Sequence, residues 1–349
     1  MKLLNFKPSE TAVPQFGVVI NDMAVSFDTL QKRFGQDHPQ LKDINSYLQA
    51  FPASEDLARE LMQKGEGDFA SLKNDEKFPL DKIKILPAVP RPAALFDFGF
   101  TPKHLRNSAI TMAKYETKWP ISRLARLPIQ LRFNRFKKKK EFIYYKGNHE
   151  SIIGDMDSPI WPKYASYLDV EPELGIVTGP VPFETPRQDV EKLIAGYVIF
   201  NDFSARDIQA PEMMWFMGPA RSKDFEKGNA LGPFLVTKDE VADPLNLNVT
   251  VKVGERYTWN GTTSDIIAHP REVIEFITGF RSLNPGTVIG MGTIPYCCGL
   301  DNDQWLEPGD FVQITFEKLG TLRHPIPKDI GPLKPTRWKP RKTFSWDKR

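Results

Sequence analysis

The chain has 349 residues, of which 40% are hydrophobic, and this is enough for one large or two smaller domains with a substantial core. The formal net charge is only +3, so the overall charge gives no sign of a nucleic-acid partner. The sequence lacks a signal-peptide pattern and any run of about eighteen apolar residues, the length that spans a bilayer, so we expect a cytoplasmic protein without a membrane partner.

Two segments are strongly basic: residues 132–140, which end in four consecutive lysines, and a tail at 331–349. From residue 337 onward the tail carries six basic side chains: Arg337, Lys339, Arg341, Lys342, Lys348 and Arg349. Because neither segment interleaves aromatic residues on a recognisable nucleic-acid-binding module, we interpret both as solvated surface.

The two cysteines, Cys297 and Cys298, are adjacent in the chain. Adjacent cysteines do not join distant segments and lack the spacing of a zinc site, so we expect reduced thiols with a structural role. A thiol near the functional site would be sensitive to oxidation.

The first 85 residues are interpreted as a small N-terminal α/β domain. Strand patterns occur at 2–6, 16–20 and 23–27. Asn21 and Asp22 form the turn of a hairpin, and the apolar spacing over 41–64 predicts helices interrupted at Pro52. No catalytic constellation lies here, so we expect a structural or dimer-supporting role.

A second domain is predicted to cover residues 86–330. It begins with a linker of closely spaced prolines, which disfavour both helix and sheet. Apolar strands then alternate with turns, and the clearest helical pattern is at 270–280, so this domain is predicted to be mostly β with some α.

An apolar strand early in this domain ends near Asp97 and leads to a helix. Thr101 as N-cap and Pro102 at the first helical position are a typical helix start, which places His104 in the first turn. The basic, aromatic-rich segment 108–145 that follows is expected to be a mobile lid or a surface excursion over the site.

Two segments combine buried-strand patterns with carboxylates. Glu171 and Glu173 stand two residues apart, which places both on one face of a strand, and Asp202 ends the apolar run that begins at Gly196. Carboxylates in apolar surroundings repel each other unless a cation lies between them, and a divalent ion with oxygen ligands is the commonest solution. The pattern therefore predicts one metal ion held by Glu171, Glu173 and Asp202.

Each feature also has a simpler explanation. Glu171 and Glu173 alone are more typical of the solvated face of an edge strand. Asp207, next to Arg206, is more typical of a structural ion pair than of a metal ligand.

Taken together, the two segments resemble the fumarylacetoacetate hydrolase family. They read DVEPEL at 169–174 and IFNDFSARDIQ at 199–209. Further motifs follow in the order of the family: GPARSKDF from 218, LGP from 231, GTI from 292, LEPGD from 306 and GTLR from 320. The resemblance covers roughly residues 86–326 and implies a fumarylacetoacetase-like mixed β-sandwich roll that forms a homodimer.

The resemblance also implies a metal site. It adds Asp97 as the fourth ligand beside Glu171, Glu173 and Asp202. The implied ion is Mg²⁺, with Ca²⁺ or Mn²⁺ as alternatives.

The same resemblance implies roles for four further residues. His104, seven residues after Asp97, is the general base, and Lys223 stabilises developing negative charge. Gln209 and Thr293 bind the substrate. Outside the family context, Lys223 would be interpreted as a surface lysine in a Ser-Lys-Asp turn.

Some positions depart from the pattern of the family. The glutamates that orient the histidine in other members fall at Gln313 and Asn107, which are neutral, and Glu116 is a hypothetical replacement. Substrate-binding tyrosines fall at Gly99 and Met213, and a threonine four residues after the site lysine falls at Lys227. All four metal ligands therefore match the pattern of the family, whereas these other substrate-binding positions do not.

Three functions remain open from the sequence. The first is a metal-dependent hydrolase that cleaves a C–C bond in an acylpyruvate-type or other β-dicarbonyl acid. The second is a lyase or isomerase of a 2-oxo acid, which the neutral residues Gln313 and Asn107 favour. The third is a non-catalytic binding protein, against which the retained carboxylates count, because such a cluster without an ion is destabilising.

Overall fold

A computed structural model describes residues 1–118, 120–214, 218–339 and 341–346. Its main feature is a large, mostly antiparallel sheet, to which thirteen strands of the described residues belong. A four-stranded antiparallel sheet and a two-stranded one accompany it. The fold class is therefore confirmed as a mixture of β-sheet and helix around a large sheet.

The strands are β1 (Lys2–Lys7), β2 (Gln15–Ile20), β3 (Met23–Ser26), β4 (Phe78–Pro79), β5 (Lys84–Leu86), β6 (Ala94–Phe98), β7 (Tyr144–Lys146), β8 (Ile152–Ile153), β9 (Leu168–Asp169), β10 (Pro172–Thr178), β11 (Ile194–Asp202), β12 (Ser204–Ala205), β13 (Asn229–Leu231), β14 (Leu235–Val236), β15 (Asn248–Val253), β16 (Tyr257–Thr262), β17 (Thr287–Gly290), β18 (Phe311–Phe316) and β19 (Gly320–Pro325). The α-helices are α1 (Phe27–Phe34), α2 (Ile44–Gln49), α3 (Ala53–Gly67), α4 (Pro102–Glu116), α5 (Ile121–Leu124), α6 (Arg126–Lys139), α7 (Arg187–Val190), α8 (Arg206–Met214), α9 (Pro270–Thr278) and α10 (Gly299–Asn302).

The centre of the large sheet runs in the order β14, β11, β10, β17, β6 and β7. Successive side chains of β11 belong to different cores: Ile199 packs in one apolar cluster and Val198 in the other. Because side chains alternate between the faces of a strand, both faces of the central sheet are buried. The carboxylates at the strand ends therefore lie in apolar surroundings.

The N-terminal segment extends this sheet. The hairpin of β2 and β3 turns at Asn21 and Asp22, both with positive φ, as predicted, and α2 and α3 are separated at Pro52. Strand β1 pairs with β14, with Leu3 opposite Leu235, so one sheet continues across the predicted boundary near residue 85. The division into domains stays a prediction.

The opposite face of the central sheet is covered by the small sheet of β16, β15, β18 and β19 together with α9. Residues Val251, Ile314 and Ile274 of these elements are fully buried in the same apolar cluster as Ile199. The predicted helix at 270–280 is confirmed, since α9 begins at Pro270 behind a His269 cap.

The basic segment between β6 and β7 is helical. Helix α4 buries Pro102, His104, Ser108 and Thr111, whereas α5 and α6 bury no side chain. The segment is thus a surface excursion, as expected. No helix among the described residues is both long and apolar enough to cross a bilayer.

The C-terminal segment differs from the solvated tail that the basic residues suggested. Leu333, Trp338 and Phe344 are buried, and the ring of Trp338 stacks on Tyr115 with the centroids 4.4 Å apart. Aromatic burial outweighs the local charge here, because Arg337 and Lys342 keep their charged ends at the surface. The guanidinium of Arg341, whose side chain is largely buried, is paired with Glu307. Lys348 and Arg349 lie outside the described residues.

Replacing Trp338 by Ala is expected to lower the free energy of unfolding by about 3–5 kcal/mol, because a buried aromatic ring and its contacts are lost. The matched control is Lys342→Ala in the same segment, whose exposed side chain predicts a change within about 0.5 kcal/mol. Denaturant titration measures both. Equal stability of the two variants would mean that the segment does not pack on the body of the protein.

Candidate functional site

Three of the predicted metal ligands lie at the same end of the central sheet, on strands β6, β10 and β11. Asp97 lies in β6, Glu173 at the start of β10 and Asp202 at the end of β11. Glu171 comes just before β10, and its backbone N–H donates to the Asn201 side chain over 3.0 Å. All four carboxylates are buried.

A glycine leaves the room that this arrangement needs. Gly290 of β17 pairs with both Asp97 and Gly175, between the strands that carry Asp97 and Glu173. A Cβ atom at Gly290 would lie 2.5 Å from Glu173 Oε2, which is closer than any side chain tolerates. Glycine is therefore required for the Glu173 carboxylate to occupy this space.

Two proton-bearing groups lie among the carboxylates. The ammonium group of Lys223 is buried and donates to both Glu171 Oε2 and Asp202 Oδ2. The hydroxyl of Tyr145 lies within hydrogen-bond distance of two carboxylate oxygens, Asp97 Oδ2 at 2.8 Å and Asp202 Oδ2, and can donate its one proton to either. Lys223 is thus a buried residue of the carboxylate site and not a surface lysine. Its role in stabilising developing negative charge stays a prediction.

The carboxylates divide into two electrostatic classes. Burial raises the pKa of Glu171, but Arg206 and Lys223 outweigh it and hold that pKa well below its usual range. Burial and the neighbouring carboxylates raise the pKa of Asp97 and Glu173 well above the usual range. Burial also raises the pKa of Asp202, against the opposing effect of Lys223. The site therefore has more negative charge than its cations neutralise.

Arg206 is a second buried cation of the site. Its guanidinium donates to Asp169 Oδ2 over 2.8 Å and to Glu171 Oε1. The expected ion pair between Arg206 and Asp207 is wrong: Asp207 Oδ2 instead accepts 2.8 Å hydrogen bonds from the Ser166 N–H and hydroxyl. Adjacent residues at the start of α8 point in different directions, so a sequence neighbour is not the nearest charge.

The two predicted substrate-binding residues are buried close to the carboxylates. Thr293 donates to Glu173 Oε1 over 3.3 Å, and Glu173 Oε2 accepts from the Gly292 N–H over 2.8 Å. Gln209 accepts from Arg206 over 2.9 Å. Both are held by site residues, and their contact with a substrate stays a prediction.

His104 lies on the buried face of α4 between two carboxylates. Its Nε2 is 3.4 Å from Glu171 Oε1, and its Nδ1 is 2.9 Å from Asp301 Oδ1. Burial lowers the pKa of His104, but the charge of Asp301 outweighs burial, so the pKa is raised well above its ordinary value. Ser108, one turn along α4, donates to Asp301 Oδ1 over 3.2 Å and fixes the same oxygen.

Asp301 corrects the expectation that His104 lacks a carboxylate partner. The hypothesis that Glu116 is the acidic partner of His104 is wrong. The Glu116 carboxylate lies at the far end of α4, where it accepts a hydrogen bond from Trp338 over 2.7 Å. The Asn107 amide donates to Asp301 Oδ2 over 3.3 Å, so this neutral side chain helps to hold the Asp301 carboxylate in place. Gln313 lies in β18 of the small sheet, opposite Lys252 and Arg323.

Cys298 completes a cluster around the imidazole. Its Sγ lies 3.8 Å from His104 Nδ1, and the potential ligand atoms of His104, Cys298 and Asp301 lie within 4.8 Å of one another. Both cysteines are free and buried, as expected. In the described part of the chain this is the one group of three such side chains that converge closely enough to share an ion as they stand.

The carboxylates nevertheless fit a hard divalent ion. Asp202 Oδ1 is buried without a hydrogen-bond partner among the described residues, and an unpaired buried carboxylate oxygen is costly. The donor set is all oxygen, which Mg²⁺, Mn²⁺ and Ca²⁺ prefer. The contacts of Lys223 and Tyr145 currently occupy Oδ2 of the same aspartate.

Sequence reasoning missed Tyr145, Arg206 and Asp301. Tyr145 was grouped with the aromatic insert, although β7 pairs it directly with Asp97. Asp301 lies 197 residues after His104, so no local spacing links the two. A signal for Asp301 was its position just after the GTI motif, which carries Thr293.

The chain is similar to known proteins over most of this region. The model of the fumarylacetoacetate (FAA) hydrolase C-terminal family matches residues 122–327. An uncharacterized protein of Staphylococcus haemolyticus is 36% identical over 181 residues, which are 51% of this chain and 59% of that protein. A Staphylococcus aureus protein is 33% identical over 192 residues, or 54% and 62% of the two chains. The match thus spans about three fifths of these relatives.

Solved structures share the fold over nearly the whole chain. Maleylpyruvate hydrolase from Sphingobium sp. SYK-6, also solved with manganese(II) and pyruvate, has a TM-score of 0.63 at 18% identity and covers 94% of this chain and 99% of its own. The 2-hydroxyhepta-2,4-diene-1,7-dioate isomerase of Mycobacterium marinum has a TM-score of 0.59 at 21% identity, with coverage of 94% and 98%. Because the family model matches more than half of its residues, this chain belongs to the fumarylacetoacetate hydrolase family.

Proposed function

We propose that the protein is a metal-dependent hydrolase that cleaves a C–C bond in a β-dicarbonyl acid of the acylpyruvate type. The observation that carries the proposal is the buried pair of His104 and Asp301, whose facing atoms are 2.9 Å apart. In the neutral imidazole, a carboxylate on Nδ1 fixes the tautomer in which Nε2 has a free lone pair. Because the charge of Asp301 outweighs burial and raises the pKa of His104, this neutral form gains population as the pH rises. Nε2 points toward Glu171, so the base faces the carboxylate site.

Asp97, Glu171, Glu173 and Asp202 are proposed to hold the ion, which we take to be Mg²⁺, with Mn²⁺ or Ca²⁺ as alternatives. When bound, the ion would act as a Lewis acid on a substrate that chelates it through two oxygens. Lys223 and Tyr145 are the proton donors among these carboxylates, so both would be available to hydrogen-bond substrate oxygens once an ion neutralises the carboxylates. A divalent charge also offsets the excess negative charge that raises the pKa of Asp97 and Glu173.

His104, Asp301 and Lys223 are proposed to have separate roles in the hydrolytic step. His104 Nε2 removes a proton from a water molecule, whose oxygen forms a bond to the carbonyl carbon distal to the carboxylate end. The Asp301 carboxylate stabilises the resulting imidazolium. Lys223 stabilises negative charge on the carbonyl oxygen. When the C–C bond breaks, its electron pair leaves with the 2-oxo acid enolate, and the imidazolium returns the proton to the enolate carbon.

Asp301 favours the hydrolase over the lyase or isomerase alternative. That alternative depended on a histidine with only neutral partners, Gln313 and Asn107. Water activation by histidine needs a carboxylate that stabilises the imidazolium, whereas enolate chemistry alone does not. Asp301 is such a carboxylate, since it is buried and its Oδ1 lies 2.9 Å from Nδ1. A small-molecule substrate, a homodimer and a cytoplasmic location are further parts of the proposal.

The first test is turnover of a substrate panel with and without Mg²⁺, in the wild type and in His104→Ala. The panel contains acetylpyruvate, fumarylpyruvate, oxaloacetate and a 2-oxo-3-deoxy sugar acid. We expect metal-dependent loss of the β-dicarbonyl absorbance that the substitution abolishes, because water activation needs the imidazole. Turnover confined to oxaloacetate or the sugar acid, and unaffected by the substitution, would assign a lyase instead.

Asp301 is proposed to be a positioning residue, and Asp301→Asn tests this. We expect kcat to fall by about a hundredfold to ten-thousandfold with little change in KM, because the imidazolium loses its carboxylate while substrate binding is untouched. Asp301→Glu should recover part of kcat, which a purely structural role would not predict.

The matched control is Asp303→Asn, the same chemical change two residues along the chain. Asp303 accepts from Lys114 and Tyr115 rather than from His104. Steady-state kinetics should show near wild-type kcat for this control. Equal losses in both variants would assign the effect to the loop and not to the His104–Asp301 pair.

Metal binding is tested by thermal or denaturant unfolding of the protein after chelation and after return of Mg²⁺ or Mn²⁺. At an ion concentration of about a hundred times the dissociation constant, binding is expected to raise the free energy of unfolding by about 2.7 kcal/mol. Asp202→Asn should lose this gain, because it removes a proposed ligand, whereas Glu226→Gln at the exposed surface should keep it. A gain of equal size in both variants would place the ion elsewhere.

A further inference from the structure

The imidazole of His104 faces a second group of potential metal ligands, which is separate from the four carboxylates. Cys298 and Asp301 lie three residues apart on the turn that contains α10, and both approach His104 Nδ1. The side chains of Cys298 and Asp301 are fully buried, and 7% of the His104 side chain is exposed. Local spacing does not predict this group, because His104 lies 194 residues before Cys298 in the chain.

We propose that His104 Nδ1, Cys298 Sγ and Asp301 Oδ1 form an inhibitory site for a thiophilic divalent ion such as Zn²⁺. The inhibitory consequence rests on the proposed function of His104, whereas ion binding itself does not.

The distances suit a tetrahedral ion. Zinc bonds of about 2.3 Å to sulfur and about 2.0 Å to nitrogen or oxygen require ligand atoms roughly 3.3–3.5 Å apart. His104 Nδ1 lies 3.8 Å from Cys298 Sγ and 2.9 Å from Asp301 Oδ1, so these two pairs need shifts of only a few tenths of an ångström. Cys298 Sγ and Asp301 Oδ1 lie within 4.8 Å of each other, so the third pair has to close by up to about 1.3 Å. Three protein ligands leave a fourth position for water, and Ser108 Oγ lies 3.3 Å from Nδ1 at the edge of the cluster.

The surrounding contacts hold these ligands in place. Asp301 Oδ2 accepts from the Tyr296 N–H over 2.8 Å and from Asn107 over 3.3 Å, which directs Oδ1 at the imidazole. His104 Nε2 lies 3.4 Å from Glu171 Oε1, so the ring can donate there while Nδ1 binds an ion. A ligating histidine that donates its other N–H to a carboxylate is a recurrent feature of zinc sites.

The chemistry of the ligands separates the two sites. Mg²⁺ prefers the all-oxygen carboxylates, whereas sulfur and imidazole nitrogen select Zn²⁺ and related ions. Binding displaces the thiol proton of Cys298 to solvent and changes no oxidation state. The proton on His104 Nδ1 is displaced as well: in the neutral ring a proton is then carried by Nε2 instead, and from the imidazolium the Nδ1 proton passes to solvent. It also fixes the N–H on Nε2, the atom whose lone pair the proposed hydrolysis requires. Occupation by zinc and water activation therefore exclude each other.

The test uses Co²⁺ as a spectroscopic probe on protein in a large excess of Mg²⁺, which fills the carboxylate site. We expect the near-ultraviolet thiolate-to-cobalt charge-transfer absorption in the wild type, displaced by Zn²⁺. Cys298→Ser should abolish this absorption. Cys297→Ser should keep it, because Cys297 Sγ packs toward Gly261 of β16 and not toward His104.

Turnover supplies the second readout. Zn²⁺ should inhibit the Mg²⁺-loaded wild type and Cys297→Ser alike, and the inhibition constant should rise at least about tenfold in Cys298→Ser. Absence of the charge-transfer absorption in the wild type, or its persistence in Cys298→Ser, would overturn the proposal. Cobalt absorption in a protein that hydrolyses none of the panel would leave the ion site standing while the proposed hydrolysis fails.

Discussion

The burial of four carboxylates beside two cations is the constraint on which this site depends. Lys223 and Arg206 contact Glu171, whereas the pKa values of Asp97 and Glu173 are raised well above their ordinary range by burial and mutual repulsion. Such a cluster is costly to bury, so it requires a rigid frame and, in our account, a divalent ion. The central sheet provides the frame, because β6, β17, β10 and β11 are held side by side by backbone hydrogen bonds.

Helix α4, which contains His104, is a second element that shapes the site beside the central sheet. Residues His104 and Ser108 lie one turn apart on α4, and both contact Asp301, which lies in the short helix α10 after β17. The imidazole and the carboxylate thus come from two separate helices, α4 and α10, and their geometry depends on how α4 packs. The aromatic cluster of Tyr115 and Trp338 fixes the other end of the same helix, so the C-terminal segment supports the site from a distance.

Much of the fold and of the carboxylate site could be predicted from local patterns in the sequence. The hairpin turn at Asn21 and Asp22, the helix from Pro270 and the strand that ends near Asp97 follow from turn, capping and periodicity rules that act over a few residues. Asp301 could not be predicted in this way, because its contact with His104 depends on the packing of segments 197 residues apart. The packed C-terminal segment was missed for a related reason: charge is visible in a sequence, whereas the cavity that receives Trp338 is not.

The measurement that tests the central claim most directly is the fate of solvent oxygen. An acylpyruvate would be turned over by the Mg²⁺-loaded protein in water enriched in the heavy oxygen isotope, and the products would be analysed by mass spectrometry. The account predicts one solvent oxygen in the carboxylate of the released acid, because the water activated by His104 forms that bond. Products formed without incorporation into a new carboxylate would contradict hydrolysis and assign the metal-enolate chemistry to a lyase or isomerase.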